Sequence, residues 1–202
     1  MISVVDYGMG NLHSVINALD KLNIECQITD NHQEILESDG IILPGVGAFP
    51  QAIEYIKEKG LDLVLNKAVE KQIPLLGICL GMQLLFEESD EFGFHKGLGY
   101  IKGKVTKLKV DYKVPQVGWN NLVLENDSPI LKGITNEDYV YFVHSFYAQV
   151  SDNKDLNAYV DYGCKVTAVV SNKNVYGFQF HPEKSGAVGL KLLKNFGELV
   201  KW

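Results

Sequence analysis

Short apolar runs alternate with helical periods through the first half of the chain. Residues 2–5, 40–43 and 74–78 form runs with the length and the aliphatic content of buried strands. Between these runs, apolar residues recur at helical spacing, first at Leu12, Val15, Ile16, Leu19 and Leu22, then at Ala52, Ile53, Ile56, Leu61, Val64, Leu65 and Ala68. Repeated strand–helix–strand units predict a parallel sheet covered by helices on both faces.

The second half is richer in β-branched and aromatic residues. Residues 99–110, 139–150, 165–170 and 175–180 show partial alternation, and we expect them to extend the sheet as antiparallel strands. A last helix is predicted from an apolar stripe, which comprises Leu192, Leu193, Phe196, Leu199 and Val200. Without a repeat or a long linker, the sequence predicts one α/β domain over residues 1–202, with a doubly wound, mostly parallel sheet and antiparallel additions.

Charge and cysteine usage exclude several functional classes. The net charge is -6 and no lysine-rich run is present, which argues against nucleic acid or a membrane surface as partner. No apolar run approaches the roughly 18 residues of a membrane span, and the start of the chain lacks the pattern of a signal peptide. The three cysteines have no CxxC spacing, so neither a disulfide framework nor a metal site is predicted, and a reducing cytoplasm is the expected setting.

The pentapeptide GICLG, residues 77–81, places a cysteine between two glycines where a predicted strand meets a helix expected over residues 82–86. A G-x-C-x-G turn in that context lifts the central side chain out of the sheet at a helix N-terminus, where a thiolate is favoured. The amide of the following residue, Leu80, is then a natural donor to an oxyanion. The pentapeptide alone is equally compatible with a buried cysteine in a glycine-punctuated turn.

A histidine is needed to protonate the nitrogen that leaves an amide under thiolate attack. His181 ends the predicted strand over residues 175–180, and Glu183 lies two residues on, so in an extended segment both side chains point the same way. A carboxylate beside an imidazole fixes its tautomer, which is the logic of a catalytic triad. Taken alone, the tripeptide HPE is also compatible with a solvated turn; the histidines at positions 13, 32 and 95 are assigned to the surface.

Two glycine-rich loops follow predicted strands. The loop LPGVGAF, residues 43–49, allows a backbone amide to turn towards a neighbouring site and supply a second oxyanion donor. The first loop, YGMGN, has an aspartate about twenty residues on, as in dinucleotide-binding folds, but His13 stands where that fingerprint needs a third glycine. A tight turn or a partner contact is the preferred interpretation of the first loop.

The segments PGVGAF, GICLGMQLLF, YFVHS and HPEKS, in this order and spacing, resemble class I glutamine amidotransferases over essentially the whole chain. The resemblance implies a flavodoxin-like fold and a triad of Cys79, His181 and Glu183, which hydrolyses glutamine to glutamate and ammonia through a thioester and without a cofactor. The segments DYGMGNL and VPQVGWN resemble the branch that passes ammonia to a (β/α)₈-barrel cyclase subunit, within a heterodimer, to make imidazole glycerol phosphate and an aminoimidazole carboxamide ribotide.

The same resemblance implies three further groups of residues. The oxyanion hole comprises Val46, Gly47 and Leu80. The glutamine pocket comprises Gly45, Gln83, Tyr141, His144 and Ser145. The docking face for the cyclase comprises Asn11, Trp119, Asn120 and Lys184.

Two positions depart from the pattern of that branch. Gln116 and Val117 stand where histidine and methionine are frequent, which leaves open a glutaminase that serves another synthase, such as a sugar amidotransferase. A cysteine hydrolase of the α/β-hydrolase type also uses G-x-C-x-G, but it places its acid before the histidine rather than after it. A non-catalytic partner-binding protein is the remaining alternative.

Overall fold

The computed structural model describes residues 1–200, which form fourteen strands and six α-helices. The strands are β1 (Ile2–Val5), β2 (Cys26–Thr29), β3 (Gly40–Gly45), β4 (Leu75–Cys79), β5 (Phe86–Ser89), β6 (His95–Lys96), β7 (Ile101–Lys107), β8 (Gln116–Asn121), β9 (Val123–Leu124), β10 (Tyr139–His144), β11 (Phe146–Val150), β12 (Leu156–Asp161), β13 (Lys165–Asn172) and β14 (Val175–Phe178). The helices are α1 (Leu12–Lys21), α2 (His32–Glu37), α3 (Phe49–Glu58), α4 (Leu61–Glu70), α5 (Leu80–Leu84) and α6 (Gly186–Leu199). Three 3₁₀ turns span Pro129–Leu131, Asn153–Asp155 and Pro182–Lys184.

The largest sheet has eight strands in the order β2-β1-β3-β4-β14-β13-β12-β9. The strands from β2 to β14 run parallel to their neighbours, whereas β13, β12 and β9 are antiparallel additions at one side. Because β1 lies between β2 and β3, the chain winds outwards in both directions from this point, as in flavodoxin-like folds. The predicted fold class is therefore confirmed.

Helices cover both faces of this sheet because its strands are apolar on both sides. Ile42 of β3 belongs to the core under α1 and α6, whereas its neighbours Ile41 and Leu43 belong to the core under α2, α3 and α4. Successive side chains of a strand point to opposite faces, so one strand serves both cores. The closing helix packs Leu192, Leu193 and Phe196 into the first core, as its apolar stripe predicts.

The expectation that every strand of the second half extends the main sheet is wrong for two of the four runs. The run over residues 139–150 is divided at Ser145 into β10, which pairs with β8, and β11, which joins a separate sheet in the order β11-β7-β5-β6. The run over residues 99–110 supplies β7 to that same sheet. The alternation that marks a strand does not encode which distant strand pairs with it.

Parallel pairing brings the ends of three strands to one edge of the main sheet. Gly45, the last residue of β3, lies opposite Cys79, the last residue of β4, while Phe178 at the end of β14 lies opposite Ile78. The loops that leave these ends carry the glycines after β3, the cysteine elbow and His181. This edge is where open α/β sheets bind their ligands. Within residues 1–200, no helix is both long and apolar enough to cross a membrane.

Candidate active site

The cysteine elbow is a sharp strand-to-helix turn that only glycines permit on either side. Cys79 has φ 55° and ψ -111°, which is strained for a residue with a side chain. A Cβ on Gly81 would lie 1.8 Å from the carbonyl oxygen of Leu43, and a Cβ on Gly77 would lie 2.6 Å from that of Gly81. Helix α5 begins at Leu80 rather than at Met82, so the thiol stands at the helix N-terminus, where the first N–H groups lack intrahelical partners.

His181 and Glu183 form a buried pair beside this elbow. Nδ1 of His181 lies 2.8 Å from Oε1 of Glu183, and both side chains are almost fully buried. The spacing in the sequence predicts that an extended segment makes this contact. Instead, Pro182–Lys184 forms a 3₁₀ turn that begins directly after His181 and brings the two side chains together. Since a carboxylate oxygen accepts, Nδ1 carries the proton and Nε2 is the nitrogen left for chemistry.

The electrostatics of this pair favour the imidazolium. Burial by itself lowers the pKa of His181, but hydrogen bonding and Coulomb attraction from Cys79 and Glu183 outweigh burial and raise the pKa from 6.5 to about 9. Because this folded-state pKa is raised, the stabilisation is complete below pH 6.5 and is lost as the pH rises through about 9.

Removing the negative charge of Glu183 should lower the pKa of His181. We expect the NMR titration of the His181 ring to move to lower pH in Glu183→Gln, because the neutral amide no longer stabilises the imidazolium. The exposed Glu54→Gln variant provides a matched control and should leave that titration in place. An unmoved His181 titration in Glu183→Gln would contradict the assigned orienting role.

A cavity of about 550 Å³ opens above Cys79. Most of the residues predicted for the site line it, namely Val46, Gly47, Cys79, Leu80, Gln83, His144, Ser145, His181 and Lys184. The α5 N-terminus and the loop after β3 thus face the thiol from two sides, the second with Gly47 at φ 107°. This geometry suits stabilisation of an oxyanion that forms next to the sulfur.

His144 is held as a neutral acceptor in this cavity. Its Nδ1 lies 2.9 Å from the carbonyl oxygen of Phe146, so Nδ1 donates and Nε2 keeps its lone pair. Burial lowers the pKa of His144 to about 4. Nε2 is buried and has no hydrogen-bond partner within residues 1–200, which leaves it available to a ligand.

Two residues predicted for the glutamine pocket do not line the cavity. Gly45 lies behind it, at a narrow crevice that it shares with Asn11, His181 and Glu183. The carbonyl of Tyr141 instead accepts the backbone N–H of His181 at 3.0 Å. Tyr141 therefore anchors the histidine from the side of β10.

The cavity also contains residues that the sequence motifs do not indicate. Glu91, Phe92 and Lys107 line it, and Oε2 of Glu91 accepts the backbone N–H of Phe49 at 2.8 Å. Burial raises the pKa of Glu91 above its usual range. A buried carboxylate in an otherwise polar surface segment has no signature in the sequence, since its burial depends on α3 packing against it.

The residues predicted for the docking face lie outside the cavity, apart from Lys184. Trp119 is 52% exposed and Asn11 is exposed, whereas Asn120 is half-buried and accepts a hydrogen bond from Gln116. Gln116, one of the two departures noted in the sequence, is fully buried. It therefore has no surface of its own for a partner to contact.

A thiol on a strained elbow, beside a buried His–Glu pair and a cavity, is the arrangement expected of a nucleophile with a base and an orienting carboxylate. The profile described as "Glutamine amidotransferase class-I" matches residues 3–199. The chain belongs to this family, and within it to the branch of the imidazole glycerol phosphate synthase subunit HisH.

That branch is established by two relatives of nearly equal length. The subunit HisH of Caldanaerobacter subterraneus subsp. tengcongensis is 50% identical over 201 residues, which cover 100% of this chain and 99% of the relative. The subunit HisH of Bacillus cereus is 49% identical over 201 residues, which cover 100% of this chain and 96% of the relative.

Solved structures support the fold independently of sequence. A crystal structure of a glutamine amidotransferase has a TM-score of 0.79 at 20% identity and covers 99% of both chains. The structure of PurLQS from Thermotoga maritima has a TM-score of 0.79 at 21% identity and covers 99% of this chain and 98% of that one.

Proposed function

We propose that the chain is the glutaminase subunit of an imidazole glycerol phosphate synthase, in which Cys79 hydrolyses glutamine and a barrel cyclase subunit receives the ammonia for histidine biosynthesis. The observation that carries this proposal is the thiol of Cys79 at a cavity that His181 also lines, with Glu183 buried behind the histidine. The identity of about half of all residues with HisH subunits supports the choice of branch.

The first half-reaction forms a thioester and releases ammonia. The Cys79 thiolate attacks the side-chain amide carbon of glutamine, and the negative charge moves onto the amide oxygen. Backbone N–H groups of Leu80 and of the Val46–Gly47 segment stabilise this oxyanion. His181 gives its proton to the departing nitrogen, so the C–N bond breaks and ammonia leaves.

The second half-reaction restores the thiolate. His181, now neutral at Nε2, takes a proton from water, and the resulting hydroxide attacks the thioester carbon. The C–S bond then breaks and glutamate is released. Glu183 keeps the ring oriented through both halves because its carboxylate stays on Nδ1.

Charged groups in the cavity match the main-chain part of glutamine. The Glu91 carboxylate supplies a negative partner for the α-ammonium, and Lys107 supplies a positive partner for the α-carboxylate. We assign Gln83, His144 and Ser145 to the polar wall of the same pocket. Free thiols persist in a reducing compartment, so we propose that the reaction takes place in the cytoplasm.

The test of this function is glutamate release from glutamine, measured with and without the barrel cyclase subunit and its ribonucleotide ligand. We propose that one oxyanion donor is completed only when the cyclase binds, and since one such donor contributes about 10²–10³ in rate, we expect stimulation of that size. Hydrolysis at a rate that the cyclase does not change would support the glutaminase activity but contradict the assignment of the cyclase as partner. Absence of hydrolysis under all conditions would favour the non-catalytic alternative.

We propose that the part of the docking face around Trp119 is the exposed side of the β8–β10 pair. Val117, Trp119, Tyr139 and Val143 leave large apolar surfaces on it, and the ring of Trp119 lies 6.0 Å from that of Tyr141, which anchors His181. An exposed apolar patch with a central tryptophan is typical of a protein interface. The contact between Trp119 and Tyr141 connects the docking face to His181, because the Tyr141 carbonyl accepts the backbone N–H of His181.

Truncating Trp119 should weaken the complex. We expect Trp119→Ala to raise the dissociation constant for the cyclase by about 30-fold, because an interface tryptophan contributes on the order of 2 kcal/mol. Calorimetric titration measures this change. Phe94→Ala provides the control, since Phe94 is exposed but lies outside the β8–β10 face. Equal affinities of the two variants would exclude this face.

A further inference from the structure

Gln179 is a buried polar side chain that contacts the reactive sulfur. It follows β14 directly, is fully buried, and places its side-chain Nε2 3.9 Å from Sγ of Cys79. This separation is long for a hydrogen bond to a neutral thiol. Hydrogen bonds to charged acceptors are shorter and roughly twice as strong, so the contact tightens when the sulfur carries a negative charge.

The orientation of the Gln179 amide is set by a chain of hydrogen bonds that begins at a backbone carbonyl. The carbonyl oxygen of Phe146 can only accept, and it lies 2.8 Å from Nε2 of Gln83. The same Nε2 donates to Oε1 of Gln179 at 3.1 Å. With its oxygen committed to Gln83, the amide of Gln179 must present its N–H₂ group to Cys79.

We propose that Gln179 is a catalytic residue whose side-chain N–H stabilises the anionic sulfur of Cys79. The same donor acts twice in the proposed glutaminase reaction. It stabilises the thiolate before attack on the amide carbon, and it stabilises the sulfur when the C–S bond of the thioester breaks and the electron pair returns to Sγ. Gln179 itself neither gains nor loses a proton in either step.

This assignment differs from a purely structural role for Gln179. A buried glutamine that only filled space could present either end of its amide to the sulfur. Here the accepting carbonyl of Phe146 allows one orientation only, through Gln83. The network therefore connects β11, α5 and the residue after β14 to a single atom, the sulfur of the nucleophile.

The reactivity of Cys79 towards iodoacetamide, followed by mass spectrometry of the Cys79 peptide, tests the proposal without requiring glutamine hydrolysis. We expect Gln179→Met, which keeps the size of the side chain and removes the donor, to slow alkylation at fixed neutral pH by about 10-fold or more. Gln149→Met is the matched control, since the Gln149 side chain contacts Tyr147 on another sheet and should have no effect. An alkylation rate in Gln179→Met equal to that of wild type would overturn the proposal.

A second variant decides the matter if Gln179→Met does not fold. Gln83→Met leaves Gln179 in place but removes the donor that holds its Oε1, so the amide is free to turn. Alkylation should again be slower, by a smaller factor, and an unchanged rate would overturn the proposal. The inference for turnover rests on the proposed glutaminase function, but the alkylation result does not: wild-type protein that never hydrolyses glutamine would refute the function and leave this test intact.

Discussion

Replacing Cys79 by alanine is expected to reduce glutamate release in the cyclase complex by at least about 10⁴-fold, because no other group can form the thioester. Cys79 is the cysteine that lies beside the His181–Glu183 pair, on a backbone with φ 55°. Losing a nucleophile removes the whole covalent route, and only binding and oxyanion stabilisation remain. Release of glutamate from glutamine, measured at saturating substrate, checks this expectation.

The other cysteines supply the control for this experiment. Cys26 and Cys164 are half-buried and lie outside the cavity, so Cys26→Ala and Cys164→Ala should retain activity. Association with the cyclase should be unchanged in Cys79→Ala, since the thiol is almost fully buried. Activity that survives in Cys79→Ala, or is lost in Cys164→Ala, would contradict the assignment of Cys79 as the nucleophile.

Replacing Gly81 by alanine is expected to destabilise the fold by about 4 kcal/mol or more, which is the range of severe core defects. The added Cβ would lie 1.8 Å from the carbonyl oxygen and 2.8 Å from the carbonyl carbon of Leu43. Both atoms belong to the backbone of β3, whose residues are paired with β4, so they cannot move aside alone. Urea unfolding followed by circular dichroism measures the change in the free energy of unfolding.

Gly99→Ala separates steric contact from backbone conformation. Gly99 has φ 74° and nothing within 4 Å of an added Cβ, so only the left-handed conformation opposes alanine there. We expect a loss of about 1 kcal/mol from that source. If Gly81→Ala were no more harmful than Gly99→Ala, the close approach of the elbow to β3 would not be what requires glycine at position 81.

The residues assigned to the triad were predictable because their local backbone conformation requires particular residue types at neighbouring positions. The elbow requires Gly77 and Gly81, since a side chain at either position would meet backbone atoms. The two glycines therefore mark the cysteine between them in the amino-acid sequence itself. The pairing of His181 with Glu183 was predicted correctly but from the wrong geometry, since a 3₁₀ turn brings them together.

The residues that the sequence motifs do not indicate contribute through long-range packing. Gln179 and Glu91 are polar residues in ordinary settings, and each becomes significant only where its neighbours bury it. Gln83 and Gln179 are far apart in the chain, and the orientation of both amides depends on a carbonyl in a third element, β11. Tyr141, which the resemblance assigns to the glutamine pocket, does not line the cavity, and its backbone carbonyl accepts the N–H of His181.

The sequence by itself determined the doubly wound class, the cysteine elbow and the His181–Glu183 pair. These features depend on hydrophobic periodicity, turn geometry and short-range spacing, which are local properties of the chain. The tertiary structure decided the pairing of β7, β10 and β11, the depth of Glu91 and the hydrogen-bond chain from Phe146 to Cys79. These features depend on which distant segments meet. Each element has several partners that are acceptable locally. The packing of the whole core selects among them, because only one set of pairings buries the apolar residues of all elements together.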